Sequence, residues 1–243
     1  MEIDLSDITS SYRAVTAEKH SRHAAHDRLK PNIFQYDYLA LSTLVADIER
    51  LIAEVPRPQD RPMALDIGCG KSPYRELVEA CGFAMKTLDI DGDSVPDYVG
   101  SIEKTELPNA SADLVLCTQA LEHIADPGEG LREIFRILRP GGHLIASAPH
   151  VWFYHPHPQD NWRFTQEGLV RLVVAAGFTP KKLLSQGGSV LSLFQVINFL
   201  IYGVLGKFGA PLYAIFNIIG KTVDRLIGNN LFCHNFAVLA RKP

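Results

Sequence analysis

Met63-Ala64-Leu65-Asp66-Ile67-Gly68-Cys69-Gly70 decides how this chain is read. An apolar run closes on Asp-Ile-Gly-Cys-Gly, and a helical pattern follows from Ser72. That sequence spells a buried strand, a tight glycine turn and a helix start. Glycine lets the backbone approach a ligand that a Cβ would hold off, and the helix start behind it offers unpaired N–H groups. A nucleotide-like ligand is the natural guest of such a turn. The dinucleotide fingerprint G-x-G-x-x-G is broken, because Pro73 stands at the third glycine position, and no Lys-Ser/Thr pair follows at phosphate-loop spacing. Asp66, two residues before the first glycine, would repel a pyrophosphate and suits a ligand carrying an ammonium or sulfonium group.

A sulfonium-bearing nucleoside is S-adenosylmethionine, and Leu65-Asp66-Ile67-Gly68-Cys69-Gly70 resembles the first motif of the class I S-adenosylmethionine-dependent methyltransferases, in particular the type 11-like group. The likeness runs from residue 63 to about 185. Leu107-Pro108 through Ala112-Asp113, ahead of the apolar run Leu114–Cys117, resembles a second family stretch, and Leu138-Arg139-Pro140-Gly141-Gly142 before a further apolar run resembles a third. The resemblance implies a donor site made by Asp66, Gly68, Cys69 and Gly70, by Asp89 and Ile90 at the end of the next strand, by Ser101 and Ile102, and by Cys117, Thr118 and Gln119. Asp89 would hold the ribose diol. Where the family often has an Asp against the adenine amino group this chain has Ser101, so a hydroxyl or the backbone at Ile102 would have to substitute.

Outward from the glycine turn, the chain alternates in period. Strands are expected at 63–69, 84–89, 98–102, 114–117, 142–148 and 178–185, and a last one within 231–242; helices are expected at 73–81, from Asp126-Pro127, and from the Thr165 cap to Gly177. The fold class is therefore α/β, a doubly wound, mostly parallel seven-stranded sheet with its site at the carboxyl ends of the strands. The family implies that the last two strands pair as a hairpin, the final one antiparallel.

Upstream, residues 1–60 read as a helical N-terminal cap, with Leu41, Leu44, Val45, Ile48, Leu51 and Ile52 on one face and Pro56 and Pro58 ending it. His20, His23 and His26 recur at helical spacing; a polar face explains them better than a metal cluster, since no carboxylate or cysteine completes a set. The organisation expected is that cap, a donor-binding core over 61–186, an apolar helical insertion over 187–230, and a closing strand over 231–243. The insertion reads as two apolar helices over the sheet edge, each marginal for the roughly 20 residues that span a bilayer. The uses open to it are burial on the core, a dimer interface, and a membrane-surface contact or wall for a lipid-like acceptor; the family's hairpin topology would make it a lid over the donor site.

The loop Pro149–Thr165 collects His150, His155, His157, Asp160, Trp162 and Arg163. It resembles a string found in methyltransferases of glycan and cell-surface polymer synthesis. His155, His157 and Asp160 are ligand types, but two prolines splay them and a free histidine explains as much, so no metal is expected. A hydroxyl acceptor needs its proton removed, and His150 is the first choice as base, then His123 and His155.

Across the 243 residues, 47% are apolar and 21% charged, a globular balance. The net charge of −3 gives no electrostatic footprint for nucleic acid. The four scattered cysteines read as free thiols in a reducing compartment, and the acidic start Met1-Glu2-Ile3-Asp4 predicts no leader. A cytoplasmic enzyme, or one peripheral on a membrane, is expected, methylating a sugar, glycan or lipid-linked acceptor. The alternatives are a methyltransferase of a soluble metabolite and a non-catalytic donor-binding subunit that uses the insertion to bind a partner.

Overall fold

The computed structural model describes residues 28–57, 61–156 and 159–243. His20, His23, His26 and His157 lie outside them. Helix α1 is Tyr38–Glu54, followed by β1 (Met63–Ile67), α2 (Arg75–Ala80), β2 (Ala84–Asp89), β3 (Tyr98–Val99) and β4 (Ala112–Thr118). Then come α3 (Pro127–Ile137), β5 (Leu138–Pro149), α4 (Gln166–Ala175), β6 (Thr179–Gln186), α5 (Ser189–Leu205), α6 (Ala210–Ile227) and β7 (Asn235–Arg241). The seven strands form one sheet in the order β3-β2-β1-β4-β5-β7-β6. All neighbours are parallel except β7, which runs antiparallel to both β5 and β6. The α/β, doubly wound seven-stranded fold is thus as the sequence implies.

Strand pleating sends alternate residues to opposite faces, and the two apolar clusters follow that alternation. Leu65, Ile67, Val115, Cys117, Leu144 and Val238 meet Leu131 and Ile134 of α3 and Leu169 and Val173 of α4. Ala64, Leu114, Leu116, Ile145 and Leu239 meet Leu44, Ile48, Leu51 and Ile52 of α1 and Val78 of α2. Helix α1 is therefore one of the layers that cover the sheet.

Several boundaries move from their expected places. Helix α2 begins at Arg75, after a turn through Pro73, and is six residues long. The third strand keeps only Tyr98–Val99. Helix α3 ends at Ile137, short of the glycines, because Leu138 is already extended and Pro140 disfavours the helical region for Arg139. The chain then turns at Gly141, φ +83°.

The insertion forms two helices, folded back at Gly206 (φ +52°) into a hairpin. It does not lie over the sheet edge as expected. It docks on α1 and on residues 33–36, because its few polar side chains find their partners there. Gln195 donates to the Tyr36 carbonyl (2.8 Å) and accepts from the Ala40 N–H (3.2 Å). Asn217 donates to the carbonyls of Ile33 (2.7 Å) and Gln35 (3.0 Å) and accepts from Asn198 (2.8 Å). These groups are buried, and each such bond contributes about 1 kcal/mol net. The opposite face of the hairpin is exposed and apolar: Leu200 is 68%, Val204 83% and Phe208 81% exposed.

Candidate functional site

The glycine turn closes against β2. The N–H groups of Gly68 (2.8 Å) and Cys69 (3.2 Å) both donate to the Leu88 carbonyl, which bends the chain sharply at the end of β1. Gly68 sits at φ +69°, and a Cβ there would stand 2.6 Å from that of Ala120, so only glycine fits. Gly70, φ +52°, faces open space. Asp89 is held from two sides: one oxygen accepts from the Gly70 N–H (2.7 Å) and the other from the Asp91 N–H (2.9 Å). At the end of β4, Gln119 takes a left-handed conformation (φ +52°) and is pinned to Ser147 through both backbone and side chain. A strained residue at a strand end is a frequent mark of a site.

These elements surround one cavity of about 480 Å³. Gly68, Cys69, Gly70, Asp89, Ile90, Ser101, Ile102, Thr118 and Gln119 all line it, so most of the donor residues implied by the resemblance come together. Two of the set stand back. Asp66 is 1% exposed and lies just behind the wall, and Cys117 belongs to the core, where burial raises its thiol pKa far above the usual range. The period-2 pattern of β4 could have told that Cys117 faces α3 and α4. Burial pushes the Asp66 carboxyl up to about 7, with Arg28 opposing and Asp89 reinforcing the rise. Residues that sequence reasoning missed also line the cavity, among them Arg28, Tyr36, Tyr74 and Glu103. Glu103 accepts from the Ser101 hydroxyl (3.1 Å) and can accept from an exocyclic amine, so a carboxylate stands two residues from where the family often has one.

The other end of the cavity carries His123, His155, Trp152 and Phe153. Phe199 of α5 packs against Trp152 (centroids 4.8 Å apart) and Phe153 (4.5 Å), and Tyr202 stacks on Tyr36 (4.0 Å), so the hairpin backs this aromatic wall. His150 is absent from the lining; its Nδ1 is bonded to the Phe164 carbonyl (2.9 Å) and its ring lies near Phe236. The histidine first chosen as base is therefore turned away from the cavity, while the other two reach it. Burial disfavours charge on His155, but Asp160 and Glu122 outweigh it and push its pKa up to about 9. Asp160 is clamped by Arg163 (2.5 and 2.8 Å), which with His155 holds its carboxyl well below the usual range against the cost of burial. Trp162 and Arg163 pin the loop, the indole donating to the Ile124 carbonyl (3.0 Å).

The sheet order and the glycine turn at the end of β1 are those of the Rossmann-like methyltransferase fold. Residues 65–146 match the Methyltransferase domain family. A Mycolicibacterium smegmatis protein, provisionally named an S-adenosylmethionine-dependent methyltransferase, is 28% identical over 130 aligned positions, covering 47% of this chain and 51% of that one. Ubiquinone biosynthesis O-methyltransferase of Caulobacter vibrioides is 31% identical over 98 positions, 34% of this chain and 39% of that one. The chain spans about half the length of such curated relatives, or less. Among solved structures, an S-adenosylmethionine-dependent methyltransferase from Archaeoglobus fulgidus superposes with a TM-score of 0.56 at 16% identity, covering 89% of this chain and 97% of that one. The [4+2]-cyclase SpnF superposes with the same TM-score and identity, covering 98% and 94%. At such identities the likeness is one of fold. Residues 65–146 are thus similar to a methyltransferase domain, on the fold that S-adenosylmethionine-dependent methyltransferases share.

Proposed function

We propose that this protein transfers the methyl group of S-adenosylmethionine to a hydroxyl oxygen of an acceptor carried on an apolar anchor, a lipid-linked sugar or glycan, at a lipid surface. The observation that carries this reading is the exposed apolar face of the hairpin, whose other side backs the aromatic wall of the cavity. Taken as one run, Ser189–Ile227 is long and apolar enough to cross a membrane; folded at Gly206 it suits an interfacial hairpin. The names of two relatives, the ubiquinone biosynthesis O-methyltransferase and malonyl-[acyl-carrier protein] O-methyltransferase from Yersinia pestis, support oxygen as the accepting atom.

The donor is already activated, so alignment and exclusion of water are the main demands. The acceptor hydroxyl is deprotonated beside His123 and His155, which line the cavity where His150 does not, and its proton passes to cavity water. The oxygen forms its bond to the methyl carbon in line with the breaking C–S bond, whose electron pair stays on sulfur to give neutral S-adenosylhomocysteine. The test uses donor with a labelled methyl group, the purified protein and an extract of the source cells, partitioned between water and organic solvent. Label in the organic phase is expected. Label only in the water phase replaces this reading with methylation of a soluble metabolite, and no transfer by protein that binds S-adenosylhomocysteine favours the non-catalytic one.

A further inference from the structure

The acceptor end of the cavity rests on a carboxylate in an unusual state. Glu122 is 0% exposed, and among the described residues neither of its oxygens accepts a hydrogen bond. His123 Nε2 and His155 Nε2 each lie 3.8 Å from its Oε1, too far for a hydrogen bond. The two imidazoles meet edge to face with centroids 5.0 Å apart. Each has its other nitrogen engaged by oxygen. His123 Nδ1 lies 2.5 Å from the Gln159 carbonyl, and His155 Nδ1 lies 3.0 Å from the Phe153 carbonyl and 3.2 Å from Asp160 Oδ2. Among the described residues only acceptors lie at the Nδ1 atoms, so each Nδ1 carries a proton and each Nε2 faces Glu122, as a lone pair when its ring is neutral. The buried carboxylate calls for positive charge beside it, which either a proton on His155 or a bound cation supplies.

The spacing suits a metal. One donor atom from each of Glu122, His123 and His155 lies within 4.8 Å of the others. An ion bound tetrahedrally at about 2.0–2.2 Å places its donors roughly 3.3–3.6 Å apart, so small side-chain shifts close the set. The outer layer is also present: the Nδ1 contacts to Asp160 and to two backbone carbonyls are those that orient metal-bound histidines, and Arg163 fixes Asp160 in turn. His123 and His155 line the cavity, which leaves the remaining coordination position open to it.

We propose that Glu122, His123 and His155 bind one divalent transition-metal ion of the zinc class, with Asp160 as its supporting carboxylate. The sequence reading, which expects no metal, weighed His155 with His157 and Asp160. Glu122 and His123 lie over thirty positions away in the chain, and only the fold joins them to His155. The metal's role rests on the methyltransferase reading above: an acceptor hydroxyl on the open position loses its proton to cavity water at a lower pH than when free, and its oxygen is then held for attack on the methyl group.

The test is metal binding. Untagged protein is stripped with a chelator and titrated with Co²⁺, read by its visible absorption, then challenged with Zn²⁺. One equivalent of Co²⁺ in a low-symmetry site, displaced by one equivalent of Zn²⁺, is expected. Asp160→Asn should weaken it by about 10–100-fold. Glu122→Gln should abolish it while S-adenosylhomocysteine binding, measured by calorimetry, is retained. A variant with His20, His23 and His26 all replaced by alanine should keep it. Stripped protein that binds S-adenosylhomocysteine but takes up no Co²⁺, or Co²⁺ binding that survives Glu122→Gln, overturns the proposal. Methyl transfer by metal-free protein would remove the metal's catalytic role while leaving the methyltransferase reading standing. Bound Co²⁺ without donor binding would do the reverse.

Discussion

Asp66 carries the chemistry of the donor cradle in a single proton. Burial holds its pKa at about 7 against an ordinary 3.8, so the empty fold favours the protonated acid. Because the folded value is raised, this group's contribution to stability is full below the ordinary value and is lost as pH rises through about 7. A ligand bearing an ammonium group wants the anion, so binding must expel the proton below that pH. Affinity for S-adenosylhomocysteine should therefore rise about tenfold per pH unit up to about pH 7 and level off above it. Calorimetry in two buffers of different ionisation heat would show the proton released. The Asp66→Asn variant should bind weakly with no such slope; a slope that persists in it would assign the effect to another group.

At the scale of the element, the α5–α6 hairpin has two faces that should respond oppositely to substitution. Its inner face is specified by polar pairs. Asn217→Leu strips the carbonyls of Ile33 and Gln35 and the amide of Asn198 of their partner, and should cost about 1–3 kcal/mol per orphaned group, seen as a lower denaturant midpoint. Its outer face bears Leu200 and Phe208 in solvent, so Leu200→Glu with Phe208→Glu should change stability by only about 0.5 kcal/mol. That double variant should lose co-sedimentation with anionic phospholipid vesicles. Unchanged co-sedimentation would sink the lipid-surface reading, and a dimer that becomes a monomer would assign the face to self-association.

For the whole molecule, the return from the hairpin into β7 carries an acid-sensitive group. His234 is 1% exposed and burial pushes its pKa down to about 4, so the unfolded chain takes the proton more readily. Its backbone ties three segments together, accepting from His150 (2.7 Å) and Val151 (3.0 Å) and donating to Gln186 (3.1 Å). The stability it supports is full above about 6.5 and is lost as pH falls toward about 4, on the order of 3 kcal/mol. Asp66 gains stability over the same range, so the test is a difference: acidification from about 6.5 to about 4 should lower the melting temperature of the parent relative to that of His234→Gln, and identical pH profiles would place the acid-sensitive group elsewhere.

How much of this was legible in the chain follows from the range of each cause. The strand–glycine–helix start at Met63–Gly70, the capping of α3 by Asp126 and of α4 by Thr165, and the alternation that orders the sheet are local, written in spacing and residue type within a turn or a strand. So was the convergence of nine of the eleven expected donor residues on one cavity, because a glycine turn and a strand end fix where their own side chains go. Tertiary packing alone decided that His150 bonds to Phe164 away from the cavity and that the hairpin docks on α1 through Gln195 and Asn217. The meeting of Glu122 and His123 with His155 was likewise invisible in the sequence. The physical reason is that burial, pKa and convergence of donors depend on groups far apart in the chain, which no period or motif encodes.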